Sequence, residues 1–153
     1  MNGWLVGGIV VAAGVGVLLP LQALINARLG QVTEGALFAS FVSFAVGTAA
    51  LAAAVLLTRT PMPEARTMAA LPPWIWTGGI IGALFVLVAT VLVPRLGAAG
   101  LICLVVSGQL IGSLLFDHFG VLGPVRPADA WRILGAVLVA VGAVLVLRPD
   151  QAA

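Results

Sequence analysis

The 153 residues are 62% hydrophobic and only 8% charged, with a mean hydropathy of +1.23, whereas about a quarter of a soluble domain's residues carry charge. So little polar surface cannot cover a water-soluble globule, and the chain reads as an all-α integral membrane protein with no room for a soluble domain. The seven basic residues are all Arg, set against five acids for a net charge of +2, and they are scattered singly, which excludes a basic patch for nucleic acid.

A bilayer crossing takes about 20 mainly apolar residues, and the sequence predicts five of them in a single domain over residues 1–153. Span 1 runs from about Gly3 to Asn26. It lacks a basic n-region and a small-x-small cleavage site, so it is expected to remain as a span and not to be removed as a signal peptide. "ARLGQVTEG" follows, with Thr33 and Glu34 placed to cap span 2, which covers about Ala36 to Thr58. "RTPMPEARTMAALPP" then holds four Pro that stop any continuous helix. Span 3, from about Trp74 to Pro94, is separated by a tight "PRLGA" turn from span 4, about Ala98 to Phe116. "GVLGPVRPAD" leads into span 5, about Trp131 to Leu147, with Asp129 favouring the start of the new helix.

Five is odd, so the termini are expected on opposite sides of the membrane. With the N-terminal side called side A, Trp4, Trp74, Trp76 and Trp131 all fall at side-A ends of spans, the headgroup level that Trp prefers. Side A also carries Arg59, Arg66, Arg126 and Arg132, and side B carries Arg28, Arg95 and Arg148, four against three. Orientation follows the Lys/Arg excess in short loops, so this chain is expected to insert both ways. Small residues four apart (Gly3 and Gly7, Ser43 and Gly47, Gly78 and Gly82, Gly108 and Gly112) suggest close helix packing. The single cysteine, Cys103, cannot form an internal disulfide and reads as core filler.

Polar residues inside the spans are the informative ones. In "SGQLIGSLLFDHFG", Gln109, Ser113 and Asp117 follow one another at steps of four. At about 100° per residue they share an arc roughly 80° wide and rise about 12 Å, so one stripe of span 4 faces something other than lipid. Span 1 has a counterpart in "PLQALINARLG", where Gln22 and Asn26 are again four apart and Pro20 leaves a backbone carbonyl without its helical donor one turn earlier. Two readings stand for these groups: hydrogen-bonding ligands for a bound solute, or bonds between neighbouring helices. Ser113 can also satisfy itself on its own helix backbone. Asp117 is the one acid near the hydrocarbon. Such a group is costly there unless paired, which makes it the candidate for proton or cation coupling; the bland reading is a helix-end residue meeting water, His118 or Arg126.

Enzymatic constellations are missing. The sequence holds no HExxH, no Cys/His cluster at metal spacing and no phosphate-cradling Gly loop. Neither catalysis nor a metal or cofactor is expected.

"PLQALINARLG", "WIWTGGIIGALFV", "VPRLGAAG" and "SGQLIGSLLFDHFG", in that order along the chain, together resemble the YdcZ-like family of the drug/metabolite transporter superfamily. The resemblance implies an inner-membrane exporter whose fold is one EamA-like repeat of five transmembrane helices. Ten-span members of that superfamily look like two such repeats in opposite orientation, and its small multidrug members work as antiparallel pairs. The small multidrug members also carry a membrane Glu in their first span, which this chain lacks, so their proton-coupled mechanism does not carry over residue by residue.

The resulting expectation is a secondary transporter that exports or exchanges small metabolites or drug-like compounds. It would work as an antiparallel homodimer, or pair with a sister chain, around a central polar site. Gln22, Asn26, Gln109 and Ser113 would bind substrate and Asp117 would couple the ion. The rival is a non-transporting membrane subunit or assembly partner, whose polar stripe serves only helix packing.

Overall fold

A computed structural model describes residues 3–147, and every regular element among them is helical. α1 runs over Gly3–Val32, α2 over Ala36–Leu57 and the short α3 over Ala65–Ala69. A 3-10 turn at Pro73–Trp76 leads into α4, Thr77–Phe119, and α5 covers Ala130–Val146. Three helical stretches are long and apolar enough to cross a membrane: α1, α2 and the 47 residues of Pro73–Phe119. α5 is apolar and 17 residues long. Arg148, the last of the cations assigned to side B, lies outside the described residues.

The breaks fall where the sequence carries helix-stopping residues, with two differences. α1 continues past Asn26 to Val32, because "ARLGQV" offers several good helix formers and only one Gly. Spans 3 and 4 are joined through a single non-helical residue, Gly97, at φ 70° and ψ 162°. That backbone region is open essentially to Gly alone, and another residue held there would cost about 1–3 kcal/mol. Residues 77–96 and 98–119 are therefore two helical arms, with Pro94 tolerated inside the first.

Capping follows the sequence at one helix and departs from it at another. Asp129 is the N-cap of α5 and accepts the Arg132 backbone N–H at 2.8 Å. Thr33 and Glu34 do not cap α2, whose N-cap is Gly35 at φ 100°, without a side-chain cap. The Thr33 hydroxyl donates instead to the Leu29 carbonyl at 2.6 Å, since a Thr four residues beyond a free carbonyl at a helix end is already in reach of it. The turn is tight: a Cβ on Gly30 would stand 3.3 Å from the backbone of Gly35 and Ala36.

The chain divides into two compact units, residues 21–91 and residues 1–20 with 92–153. In the first, buried positions form narrow stripes at helical spacing: Ala23, Asn26 and Ala27 on α1, Ala39 and Ser40 on α2, Val86, Ala89 and Thr90 on α4. Small residues suit this. Lipid is as apolar as Leu, so helices in a membrane associate by close van der Waals approach and hydrogen bonds. Gly82 belongs to this packing, with its Cβ position 3.4 Å from the Phe44 ring.

Most of the other glycines in the four-apart pairs make no such contact within the chain. A Cβ on Gly3, Gly7, Gly47, Gly78 or Gly108 would meet nothing within 4 Å. Those glycines lie on faces that the single chain leaves open. In the second unit Val93, Leu101 and Ala143 are buried, and Gly100 lets the Leu147 side chain approach to 3.0 Å of its Cβ position. The second arm of α4 ends in a Schellman motif. Val121 N–H donates to Phe116 at 2.8 Å and Gly120 N–H to Asp117 at 3.3 Å, with Gly120 at φ 64°.

Candidate functional site

In the unit of residues 21–91, Gln22 and Asn26 sit one turn apart on α1 but in different surroundings. Asn26 belongs to the buried stripe, 5% exposed, and its Nδ2 donates to the Ser43 Oγ of α2 at 3.2 Å. It thus makes a bond between helices. Gln22 is exposed, and its amide makes no hydrogen bond within its unit. Ser40 and Thr90, also buried, spend their hydroxyls on carbonyls of their own helices, Ala36 at 2.8 Å and Val86 at 2.7 Å. They hold no donor back for a ligand.

In the other unit Gln109, Ser113 and Asp117 follow one another along the second arm of α4. Gln109 is exposed and, like Gln22, makes no hydrogen bond within its unit. Ser113 Oγ donates to the Leu110 carbonyl of its own helix at 3.0 Å, which leaves its lone pairs open. Asp117, in the last turn, is half-exposed. Its carboxylate receives the Arg132 guanidinium at 2.8 Å, with the two side chains 39% and 37% exposed.

That ion pair is the centre of a clasp between α4 and α5. The Asp117 carbonyl also accepts the Arg126 N–H at 2.8 Å, and Arg132 donates a second guanidinium N–H to the Arg126 carbonyl at 3.3 Å. His118 Nδ1 accepts the Ala128 N–H at 3.3 Å. The "VLGPVRPAD" loop is thereby fixed by main-chain bonds at one end and by the Asp129 cap at the other.

Among the predicted site residues, then, Gln109, Ser113 and Asp117 share one face of one helix, and Gln22 and Asn26 share another helix in the other unit. The chemistry on offer is hydrogen bonding by neutral amides and a hydroxyl, with one charge-paired acid. No cluster of His, Cys, Asp or Glu able to hold a metal occurs among the described residues. Two partners escaped the sequence reading. In the sequence Ser43 stands out only as a small residue four before Gly47, although a hydroxyl within the apolar "ASFVSFAVG" is also a hydrogen-bonding signal. Arg132 lies 15 residues beyond Asp117, and only the turn at Gly120 brings it back.

A protein-family model described as "Putative inner membrane exporter, YdcZ" matches residues 7–145. The Inner membrane protein YdcZ of Escherichia coli (strain K12) is 30% identical over 148 residues, covering 97% of this chain and 98% of that protein. No solved structure matches the chain.

Proposed function

The chain belongs to the YdcZ family of inner membrane exporters, and from that premise we propose that it is a secondary transporter whose substrate site is shared between two chains. It is a multi-pass inner-membrane protein. The proposal gives it five crossings (α1, α2, the two arms of α4, and α5), as in one EamA-like repeat. Two such repeats, inserted antiparallel, bring the α1 and α4 polar rows to a central site near the midplane, where transporters of inverted-repeat design bind their solutes.

One observation carries this reading. Gln22 and Gln109 each present an exposed amide within a largely apolar stretch of helix, unbonded within its unit. In hydrocarbon an unsatisfied amide costs several kcal/mol. Each therefore needs a water-filled cavity, a solute or a second chain against it. In this reading Gln22, Gln109 and Ser113 contact a small polar or amphipathic solute, Asn26 fixes α1 on α2 beside Gln22, and Asp117 exchanges its Arg132 partner for the coupling ion. The protein acts without enzymatic chemistry or a cofactor.

The test is flux with purified protein in sealed vesicles, using solutes that raise its unfolding temperature in detergent. Gln22→Leu and Gln109→Leu should each cut flux at least tenfold without lowering that temperature, because neither side chain is packed. Asp117→Asn should abolish gradient-driven uptake and leave exchange intact. Full flux in both Gln variants overturns the shared polar site. Absence of flux for every stabilising solute favours a non-transporting subunit, the reading on which Asn26–Ser43 and Asp117–Arg132 are simply helix-to-helix bonds. For the antiparallel pair, reporters active on one side of the membrane are fused to the C-terminus. Comparable signals on both sides are expected, and Thr67→Lys beside Arg66 should tip the ratio sharply. Signal from one side alone rules out the antiparallel homodimer.

A further inference from the structure

The turn between the second arm of α4 and α5 is apolar where a loop in water would be polar. From Phe119 to Val125 no side chain carries a polar atom, and Phe119, Val121, Leu122 and Val125 are all exposed. Leu122 is the extreme case. It is 80% exposed and held at φ 60°, a region costly for Leu and open to Gly. At that exposure, packing within the chain offsets little of the strain.

The main chain of the same turn needs little water. Among residues 120–128 two are Pro and carry no N–H, and five of the other seven N–H groups are bonded. Gly120 and Arg126 donate to the Asp117 carbonyl, Val121 to that of Phe116 and Gly123 to that of Gly120. Ala128 donates to His118 Nδ1. Residues 121, 126 and 128 are thus tied to residues 116–118, and the turn lies back against the end of α4. Gly120 permits this, since a Cβ there would stand 2.7 Å from Val125 Cγ2. The segment that starts α3 is the contrast. From Met62 to Thr67 no N–H is bonded, and Glu64, Arg66 and Thr67 bring polar side chains, as suits a segment in water.

Exposed apolar side chains over a largely self-bonded main chain fit an apolar medium, where unbonded backbone groups are costly. Helix length points to the bilayer as that medium. α5 has 17 residues, about 25 Å of rise against roughly 30 Å of hydrocarbon. A stretch that is too short draws its flanks inward, and charged flanks snorkel back to water. Phe116 and Trp131, exposed on the two flanking helices, extend the patch toward faces that lipid covers. We propose that this turn is an interfacial anchor: Phe119, Val121, Leu122 and Val125 rest in the boundary between headgroups and acyl chains, and Arg126 and Arg132 reach water from there. The anchor sets the height of the Asp117–Arg132 pair at that boundary. It rests on both helices crossing the bilayer, as proposed above, and not on transport.

Dyes on single cysteines test it. With Cys103→Ala as background, Val125→Cys, Met62→Cys and Leu138→Cys are each labelled with a nitrobenzoxadiazole dye and reconstituted in phosphatidylcholine vesicles. Quenching by lipids brominated near the headgroup or near the chain end is compared with quenching by iodide on both sides of the membrane. The Val125 label should be quenched most by the shallow bromines and lose most of the iodide quenching seen at Met62. The Leu138 label should answer to the deep bromines. Leu122→Asp should return the Val125 label to iodide. Leu122→Gly, which suits φ 60° and so endangers folding least, should move it part of the way. All variants are compared at full helical circular dichroism. A Val125 label as open to iodide as that of Met62, beside a lipid-quenched Leu138, overturns the anchor and leaves the crossings standing. A Leu138 label open to iodide and closed to lipid removes the crossing of α5, and the anchor with it. A Val125 label shielded from bromine and iodide alike would put protein, such as a second copy, over the turn, and lipid quenching unchanged in both Leu122 variants would show that Leu122 anchors nothing; either result overturns the proposal.

Discussion

Asn26 and Asp117 each close a polar row that begins with a glutamine on the same helix, and the two rows end in opposite circumstances. Asn26 is 5% exposed and rests on one neutral hydroxyl, Ser43. Asp117 stays 39% exposed, in the last turn of its helix, and takes an Arg. The difference is one of formal charge. A primary amide can leave water if it keeps a hydrogen bond, whereas a carboxylate needs a cation and access to water to remain ionised. Chemistry has sorted the two ends of similar sequence patterns into a helix-to-helix bond and a boundary clasp.

Exchanging the two chemistries should break the comparison most violently. Asn26→Asp places a carboxylate where only the Ser43 hydroxyl answers it, and an acid within a membrane helix costs about 2.5–3.5 kcal/mol. We expect a loss of about 3 kcal/mol on reversible unfolding in mixed micelles. Asp117→Asn, the opposite exchange, should lose under 1 kcal/mol because the amide still accepts from Arg132 near water. Equal losses would mean that burial does not separate the sites.

Next in size is a change confined to the clasp. Asp129→Ala removes the N-cap of α5, for which about 1 kcal/mol is usual. It should also let Arg132 wander, since Asp129 fixes the main chain from which that side chain starts. Amide hydrogen exchange should speed up through the first turn of α5 and leave the Asn26 region unchanged. Protection lost equally at both places would contradict the division into two units.

How much of this was legible beforehand depends on whether the cause was local. Helix positions were, because apolar runs and Pro or Gly interruptions act within a few residues; so was the Asp129 cap, which needs only its own first turn. The break between the two arms of α4 falls within the "PRLGA" that the sequence marks, but Pro94 is not the stop it suggests and the backbone turns only at Gly97. Thr33 departs from its expected cap because two helix ends compete for one hydroxyl, and the nearer carbonyl, Leu29, wins. The polar rows were visible as periodicity. Their partners were not: periodicity says which face a residue occupies and nothing about what meets it. Ser43 and Arg132 both come from other helices, 17 and 15 residues away. For the same reason the small-residue pairs are only partly decided by spacing: Gly82 and Ser43 meet a neighbouring helix while Gly3, Gly7, Gly47, Gly78 and Gly108 do not, as spacing marks a face able to pack and leaves open whether anything packs there.

A smaller effect sharpens the neutral member of the comparison. Asn26→Ala and Ser43→Ala, singly and together, should show a coupling of about 0.6 kcal/mol, the average for hydrogen bonds between membrane helices. Neither partner is charged, so the coupling should be the same in low and high salt. A coupling near zero would mean that Ser43 bonds its own helix equally well once Asn26 is gone.

The charged member should give the smallest coupling and the one most sensitive to conditions. Arg132 and Asp117 meet at 2.8 Å with side chains 37% and 39% exposed, so water competes for both and ions screen them. Pairs of this kind typically couple by about 0.2–1 kcal/mol. Screening lengths fall from about 30 Å at 0.01 M salt to about 3 Å at 1 M, which removes the longer-range part of the attraction and weakens what remains at contact. The cycle through Asp117→Asn, Arg132→Gln and the double variant should therefore read about 0.5 kcal/mol at low salt and distinctly less at 1 M, while the Asn26–Ser43 cycle holds still. A coupling that ignores salt would mean that the pair is sealed from water, and an acid sealed against its Arg is poorly placed to trade that partner for a transported ion. The salt series thus tests, without any substrate, whether Asp117 has the access that ion coupling needs.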